Sequence, residues 1–510
     1  MIRFICPICW SVSEVSDDME GNQVQCPECH ALGTAVKSDQ AKITQGSKSA
    51  RYRFGRRILR LSILVGIAVV GYFVYNFASK RWEAEKEVRE ALAKSWPEIQ
   101  LYIRQTDEKD PGWRLEDLIT EFPEIPDEKN AWTFIQLAGD SLPKDWKEPD
   151  FIGRNPDIVP PRRITKDDAE ELRRALKTLQ PALEKSRLAG LQTQGKCRLT
   201  YSADFFSTDS VHLIQARQVR ELLALDEILS NYDGDHSRAL ESCKGIVNLA
   251  RSLGEPPSIL LQVTRIAFQS EAIRGIERTL AHSQLTQEDL QQLQTLLEEE
   301  ARFPLLLSGL RGDRAGFFRQ FTAMKEGTAG KPGQPESSRG RALFIQHFPA
   351  VLSGFNKMIT VAKTVPIHLQ AKELESLTEK DPFRPGYADR ILSAASKCFR
   401  ANQRSQATLR CAIVGLAVER YRLNHGNWPH DLQELVADKL IKEVPTDPYD
   451  GEPIRYRQTE DGVVVFSAGM GGMYQGDCRD EPEFWLLNYE ELAHEFRLWN
   501  VARRFQKRAP

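Results

Sequence analysis

The sequence predicts a multidomain membrane protein: a small four-cysteine module, one transmembrane helix, a mostly α-helical outer domain of solenoid or bundle type, and an α+β C-terminal domain. Three observations carry this expectation. Four of nine cysteines fall in the first 30 of 510 residues, one long apolar run follows, and serial apolar stripes at helical spacing fill the middle of the chain. The 69 Lys and Arg nearly balance 71 Asp and Glu, so bulk charge is not arranged to hold nucleic acid, and none is expected as a partner.

The cysteines read Cys6-Pro-Ile-Cys9 and Cys26-Pro-Glu-Cys29, a C-x2-C-x16-C-x2-C spacing. Each short gap lets a tight turn aim two sulfurs at one ion, and the long gap accommodates a hairpin that joins the turns. Residues 1–36 are therefore expected to form a zinc ribbon, with Cys6, Cys9, Cys26 and Cys29 as ligands and zinc in a structural role. Two disulfides would be the other use of four such thiols. Glu14, Asp17, Asp18, Glu20 and Glu28 face a single strong base, Arg3, which favours protein contact over nucleic-acid contact.

Residues 37–57 read as a basic linker. Residues 58–78 are almost wholly apolar and as a helix would measure about 31 Å, the thickness of a hydrocarbon core. Arg51, Arg53, Arg56 and Arg57 precede the run, and Tyr72, Tyr75 and Phe77 gather at its far end. The positive-inside rule then predicts a single-pass protein of the bacterial inner membrane, with the bilayer as a partner, a cytoplasmic N-terminus and an extracytoplasmic remainder.

Residues 79–388 are expected to be helical. Thr165-x-x-Asp168 and Thr286-x-x-Asp289 look like helix starts, Asp233-Gly-Asp235 like a turn, Glu298-Glu-Glu300 like a solvated helix face, and 326–340 like a flexible loop. Cys197, Cys243, Cys398, Cys411 and Cys478 read mostly as small buried apolar residues; Cys197 with Cys243 is a conceivable bridge, whereas Cys398 and Cys411 on one helix cannot join.

From Asp389 to Tyr421 the pattern is one long helix. It ends in Tyr421-Arg-Leu-Asn-His-Gly426-Asn-Trp-Pro429, followed by Val444-Pro-Thr-Asp-Pro448-Tyr-Asp-Gly451-Glu-Pro-Ile-Arg-Tyr456 and Gly462-Val-Val-Val-Phe-Ser-Ala-Gly469. In these motifs, residues 389–480 resemble the globular head of type II secretion major (G-type) pseudopilins. The resemblance implies a long helix packed on a small antiparallel sheet, with residues 481–510 as a tail. That family often binds calcium after the last strand; here Met470-Gly-Gly-Met473 lacks the acid, and although Asp477 and Asp480 offer oxygens, calcium is not expected.

No nucleophile elbow, H-E-x-x-H, phosphate loop or dinucleotide fingerprint occurs, and no catalytic or cofactor-binding residue is singled out. His425 and His430, flanking Trp428, read as a helix-end turn ahead of a metal or acid-base pair. The function this predicts is a non-enzymatic, membrane-anchored envelope protein that binds an unidentified protein partner. Alternatives are an accessory part of a secretion or pilus-like apparatus, and an extracytoplasmic hydrolase with an unrecognised site.

Overall fold

A computed structural model describes residues 1–35, 45–121, 123–144, 146, 163–197, 202, 205, 211–253, 258–331, 334–379, 386–459, 462–469 and 482–487. The chain divides into two units, Met1–Lys86 and Glu87–Pro510.

The first unit opens with two antiparallel hairpins. Strands β1 (Ile2–Ile5) and β2 (Val12–Val15) pair in one, and β3 (Gln23–Gln25) and β4 (Leu32–Thr34) in the other. Ile2 and Phe4 alternate inward and, with Cys6, Cys26 and Ala35, form a core of five buried residues. Gly33 lets the hairpins close: a Cβ there would lie 2.8 Å from Pro7 Cδ and 2.9 Å from Phe4 Cε2.

Helix α1 (Gln45–Lys109) runs 65 residues, and the division between the units falls within it. The expected membrane span is corrected here. Among the described residues no helix is long and apolar enough to cross a membrane. Within 58–78, side chains are described only for Val69 and residues 71–76. The other side chains of the run lie outside those described, and the expected single-pass, inner-membrane placement falls with the span.

The second unit is mainly helical. After α1 come α2 (Leu115–Thr120), α3 (Ala131–Gly139), α4 (Lys166–Thr178), α5 (Gln180–Leu191), α6 (Val211–Asp233), α7 (His236–Ser252), α8 (Ile259–His282), α9 (Gln287–Arg302) and α10 (Leu305–Glu326). Thr165 and Thr286 cap α4 and α9, each accepting from the amide three residues on at 3.1 Å. Asp235 caps α7, and Gly234 supplies the left-handed backbone (φ +80°) that lets α6 turn into it. The helices pack on one another, α6 on α7, α7 on α8, and α3 on α5. Helices α5 and α7 meet glycine to glycine, since a Cβ on Gly190 would lie 2.7 Å from Gly245 Cα.

A second apolar cluster joins the end of α1 to α10 and α11 (Ser338–Thr364), with Phe321 and Phe348 stacked at 4.4 Å between centroids. Between α10 and α11, a short hairpin of β5 (Gly330–Lys331) and β6 (Gln334–Pro335) occupies the segment expected as a plain loop.

Helix α12 (Ile367–Glu379) leads to α13 (Gly386–His425), 40 residues long. Past a short α14 (Gln433–Ala437), α13 packs on an antiparallel sheet in the order β7 (Arg455–Thr459), β8 (Gly462–Phe466), β9 (Glu483–Leu487). Val463, Val464 and Val465 are wholly buried, as a central strand covered on both faces requires. Phe484 lies on Gly415, where a Cβ would approach its ring to 2.3 Å. The sheet thus extends past residue 480.

Candidate metal centre

The two hairpins are copies of one unit, offset by 20 residues. Cys6 N donates to Ser11 O at 3.0 Å and Cys26 N to Ala31 O at 2.9 Å; Trp10 N donates to Cys6 O at 3.1 Å and His30 N to Cys26 O at 2.9 Å. Trp10 and His30 both take left-handed backbone, at φ 62° and 61°. Each Cys-Pro-x-Cys turn is therefore locked by the same two bonds, with the same reversal after its second cysteine.

This locking aims four sulfurs at one point. The Sγ atoms of Cys6, Cys9, Cys26 and Cys29 all lie within 4.8 Å of one another. Cys6–Cys29 and Cys9–Cys26 are each 3.5 Å apart, close to the ~3.8 Å edge of a tetrahedron with Zn–S bonds of ~2.3 Å. The group could hold a metal ion. Cys6 and Cys26 are buried, whereas Cys9 and Cys29 open to solvent.

The surroundings favour thiolate at two positions. Ser11 Oγ sits 3.2 Å from Cys9 Sγ and 3.1 Å from Cys26 Sγ. Its hydroxyl is the main cause that pulls the Cys26 thiol down to about 6, and it lowers Cys9 as well. At Cys29 the Ala31 amide favours the thiolate, but crowding by Cys9, burial, Cys6 and Cys26 together push the thiol up to about 12. Four sulfurs this close cannot all carry charge without a cation among them. His30 follows the fourth ligand as a neighbour in the turn.

All eight described cysteines are free thiols, Cys197 and Cys243 included; Cys478 lies outside the described residues. Asp477 and Asp480 lie outside them too. Among the described residues, no second group of three or more His, Cys, Asp or Glu could hold a metal.

The motif around Asp447 is structural in the described residues. Asp447 is fully buried and accepts from Tyr449 N, Ser467 Oγ, Ala468 N and Arg455 Nη1 at 2.6–2.9 Å, tying the 444–456 segment to the end of β8. His425 stacks on Tyr421, with ring centroids 4.1 Å apart, and pairs with Asp438, which closes the turn after α13. His430 donates its amide to Glu434 instead of joining His425 at a common point.

Sequence reasoning missed the buried acids. Glu300, expected on a solvated face, is buried and accepts from Arg265, Arg251 and Gln269. Glu277 is buried and accepts from Trp485 N at 2.9 Å.

Comparison with protein-family models, curated proteins and solved structures finds no match. The pseudopilin resemblance of residues 389–480 therefore has no support beyond the motifs themselves. The four-cysteine metal group stands on its own geometry.

Proposed function

We propose that this chain is a non-enzymatic partner-binding protein, with a zinc-stabilised contact module at residues 1–36 and the helical unit as its scaffold. The observation that carries the reading is the closed set of four cysteine sulfurs. Four sulfurs within 4.8 Å of one another would fill every position of a tetrahedral ion, which would leave none open for a substrate or a reactive water. A core of five residues cannot hold two hairpins by itself, so the metal supplies folding free energy. Four thiolates suit zinc best among common divalent ions. In the helical unit, buried ion pairs tie helices together, Arg251 and Arg265 to Glu300 and Arg278 to Glu227, an arrangement suited to a rigid scaffold.

Metal analysis of the purified full chain should give about one zinc per chain, and Cys26→Ser should lose it. Cross-linking of the full chain should capture a protein partner that the Cys26→Ser chain no longer captures. An equal yield from a zinc-free variant would refute the ribbon's role in contact.

A further inference from the structure

The two halves of the metal module share their backbone, so the surroundings of their sulfurs can be compared one for one. The amides match: Ser11 N donates to the Cys9 sulfur and Ala31 N to the Cys29 sulfur. Exposure matches too, since Cys9 and Cys29 are exposed while Cys6 and Cys26 are buried. One group breaks the correspondence. The residue after the left-handed position is Ser11 in the first half and Ala31 in the second. Ser11 Oγ lies 3.2 Å from Cys9 Sγ and 3.1 Å from Cys26 Sγ, whereas the matching alanine has no hydroxyl to offer.

The closest sulfur contacts cross between the halves. Cys6 and Cys29 stand 3.5 Å apart, as do Cys9 and Cys26, and each pair joins one buried sulfur to one exposed sulfur. The Ser11 hydroxyl serves the second pair. With a metal ion bound, all four sulfurs are thiolates. A hydroxyl donating to a thiolate draws charge from the sulfur and makes it a weaker nucleophile. Access divides the sulfurs further, because an oxidant in solution meets Cys9 and Cys29 before their buried partners. Of the four, Cys29 alone is exposed and outside the pair that Ser11 bridges.

We infer that Cys29 is the site at which a peroxide first oxidises the metal-loaded module, with Cys6 as the thiolate that resolves it. The Cys29 thiolate attacks one peroxide oxygen, the O–O bond breaks and hydroxide leaves, so Cys29 becomes a sulfenic acid. Cys6, 3.5 Å away, attacks that sulfur and expels a second hydroxide, which leaves a Cys6–Cys29 disulfide. The two sulfurs have given up two electrons and the peroxide has taken both. Cys9 and Cys26 then remain as the only ligands, too few to retain zinc. The new bond joins the two hairpins, so a covalent closure replaces the metal one. The inference rests on the zinc reading above and adds to it a modification site and an order of reaction.

The test treats the zinc-loaded full chain with substoichiometric hydrogen peroxide and follows zinc release with a coloured chelator. Remaining thiols are blocked with N-ethylmaleimide in denaturant, and disulfides are mapped by mass spectrometry. Cleavage after Glu14, Glu20 and Glu28 puts Cys26 and Cys29 on separate peptides, and fragmentation tells Cys6 from Cys9. The Cys6–Cys29 bond should form at least about threefold faster than Cys9–Cys26, in step with zinc release. Ser11→Ala should bring the two rates together, and the second half already makes the same turn with alanine. Should Ser11→Ala fail to hold zinc, Ala31→Ser decides: a hydroxyl beside the other pair should slow Cys6–Cys29 about threefold. A first disulfide within one half, equal rates in the parent, or a preference that neither variant alters would overturn the assignment. So would zinc release without a disulfide. Zinc is measured in the same samples before oxidation. Its absence would sink the metal-module reading and this site with it, whereas bound zinc with a different first disulfide would sink only this site.

Discussion

Removing the Glu300 carboxylate should damage the scaffold more than any surface change. Glu300 accepts from Arg265 Nε at 3.1 Å and Nη2 at 2.8 Å, from Arg251 Nε at 2.6 Å and from Gln269 Nε2 at 2.5 Å. These groups come from α7, α8 and α9, and Gln269 in turn accepts from Ser405 of α13 at 3.4 Å. The Arg265 and Glu300 side chains are only 5% and 2% exposed, so solvent screening offers little relief. Glu300→Leu would strand the Arg265 guanidinium without its carboxylate, at a cost of about 3–5 kcal/mol. Arg251 keeps Glu299 at 2.8 Å, a half-exposed pair that contributes about 1 kcal/mol or less. The double variant Arg265→Met/Glu300→Leu removes both charges and should recover most of the loss, because a buried pair often does no better than apolar side chains of similar volume. Urea unfolding followed by circular dichroism measures both, with the slope checked for constancy. A loss below about 1 kcal/mol for Glu300→Leu, or a double variant as unstable as the single, would refute the reasoning.

Burial pushes the Glu277 carboxyl up to about 8; the Trp485 amide opposes that shift and the Glu483 charge adds to it. A raised carboxyl stabilises the fold fully below its unfolded value near 4.5 and loses that contribution as pH rises through 8, at up to about 1.4 kcal/mol per pH unit. Urea stability of Glu277→Gln should therefore decline less between pH 5 and 8 than that of the parent. Asp313, raised to about 7 by burial, titrates in the same window, so Asp313→Asn belongs in the same series. In the metal module, Gly33→Ala forces a methyl against the Pro7 and Phe4 rings, and should cost about 1–3 kcal/mol. Faster zinc loss to a chelator is the expected readout, and retention equal to the parent would mean that the hairpins close differently.

What could be read from the sequence follows the range of the interactions. The metal centre was legible because each half is local, two cysteines across one turn, and only the pairing of the halves is long-range. The caps at Thr165 and Thr286 were legible for the same reason. Glu298, Glu299 and Glu300 looked alike as a run, but successive helix positions turn by about 100°, so the third points into the bundle while its neighbours face outward. Its partners, Arg251 and Arg265, lie 49 and 35 residues away, and no local pattern announces them. Asp447 stood inside a motif that was noticed, yet its role depends on Ser467 and Ala468, 20 and 21 residues on. The membrane reading weighed the composition of one stretch, and among the described residues no helix carries it across a bilayer.

Strand alternation gives a separate argument about the first hairpin. A strand with one solvated face alternates apolar and polar residues, whereas a strand covered on both faces is apolar throughout. In β8 the rule is plain, since Val463, Val464 and Val465 are all buried between neighbours on either side. Strand β1 reads Ile-Arg-Phe-Ile, with Ile2 and Phe4 inward and Ile5 outward beside Val12. Toward the metal, therefore, this hairpin becomes apolar on both faces, while Gln23 and Gln25 keep the outer face of β3 polar. The inner face is explained by Phe4 closing on Gly33. The outer face pairs Arg3 with Glu14 at the far end of the hairpin and becomes apolar, with Ile5 opposite Val12, only beside the cysteine turn.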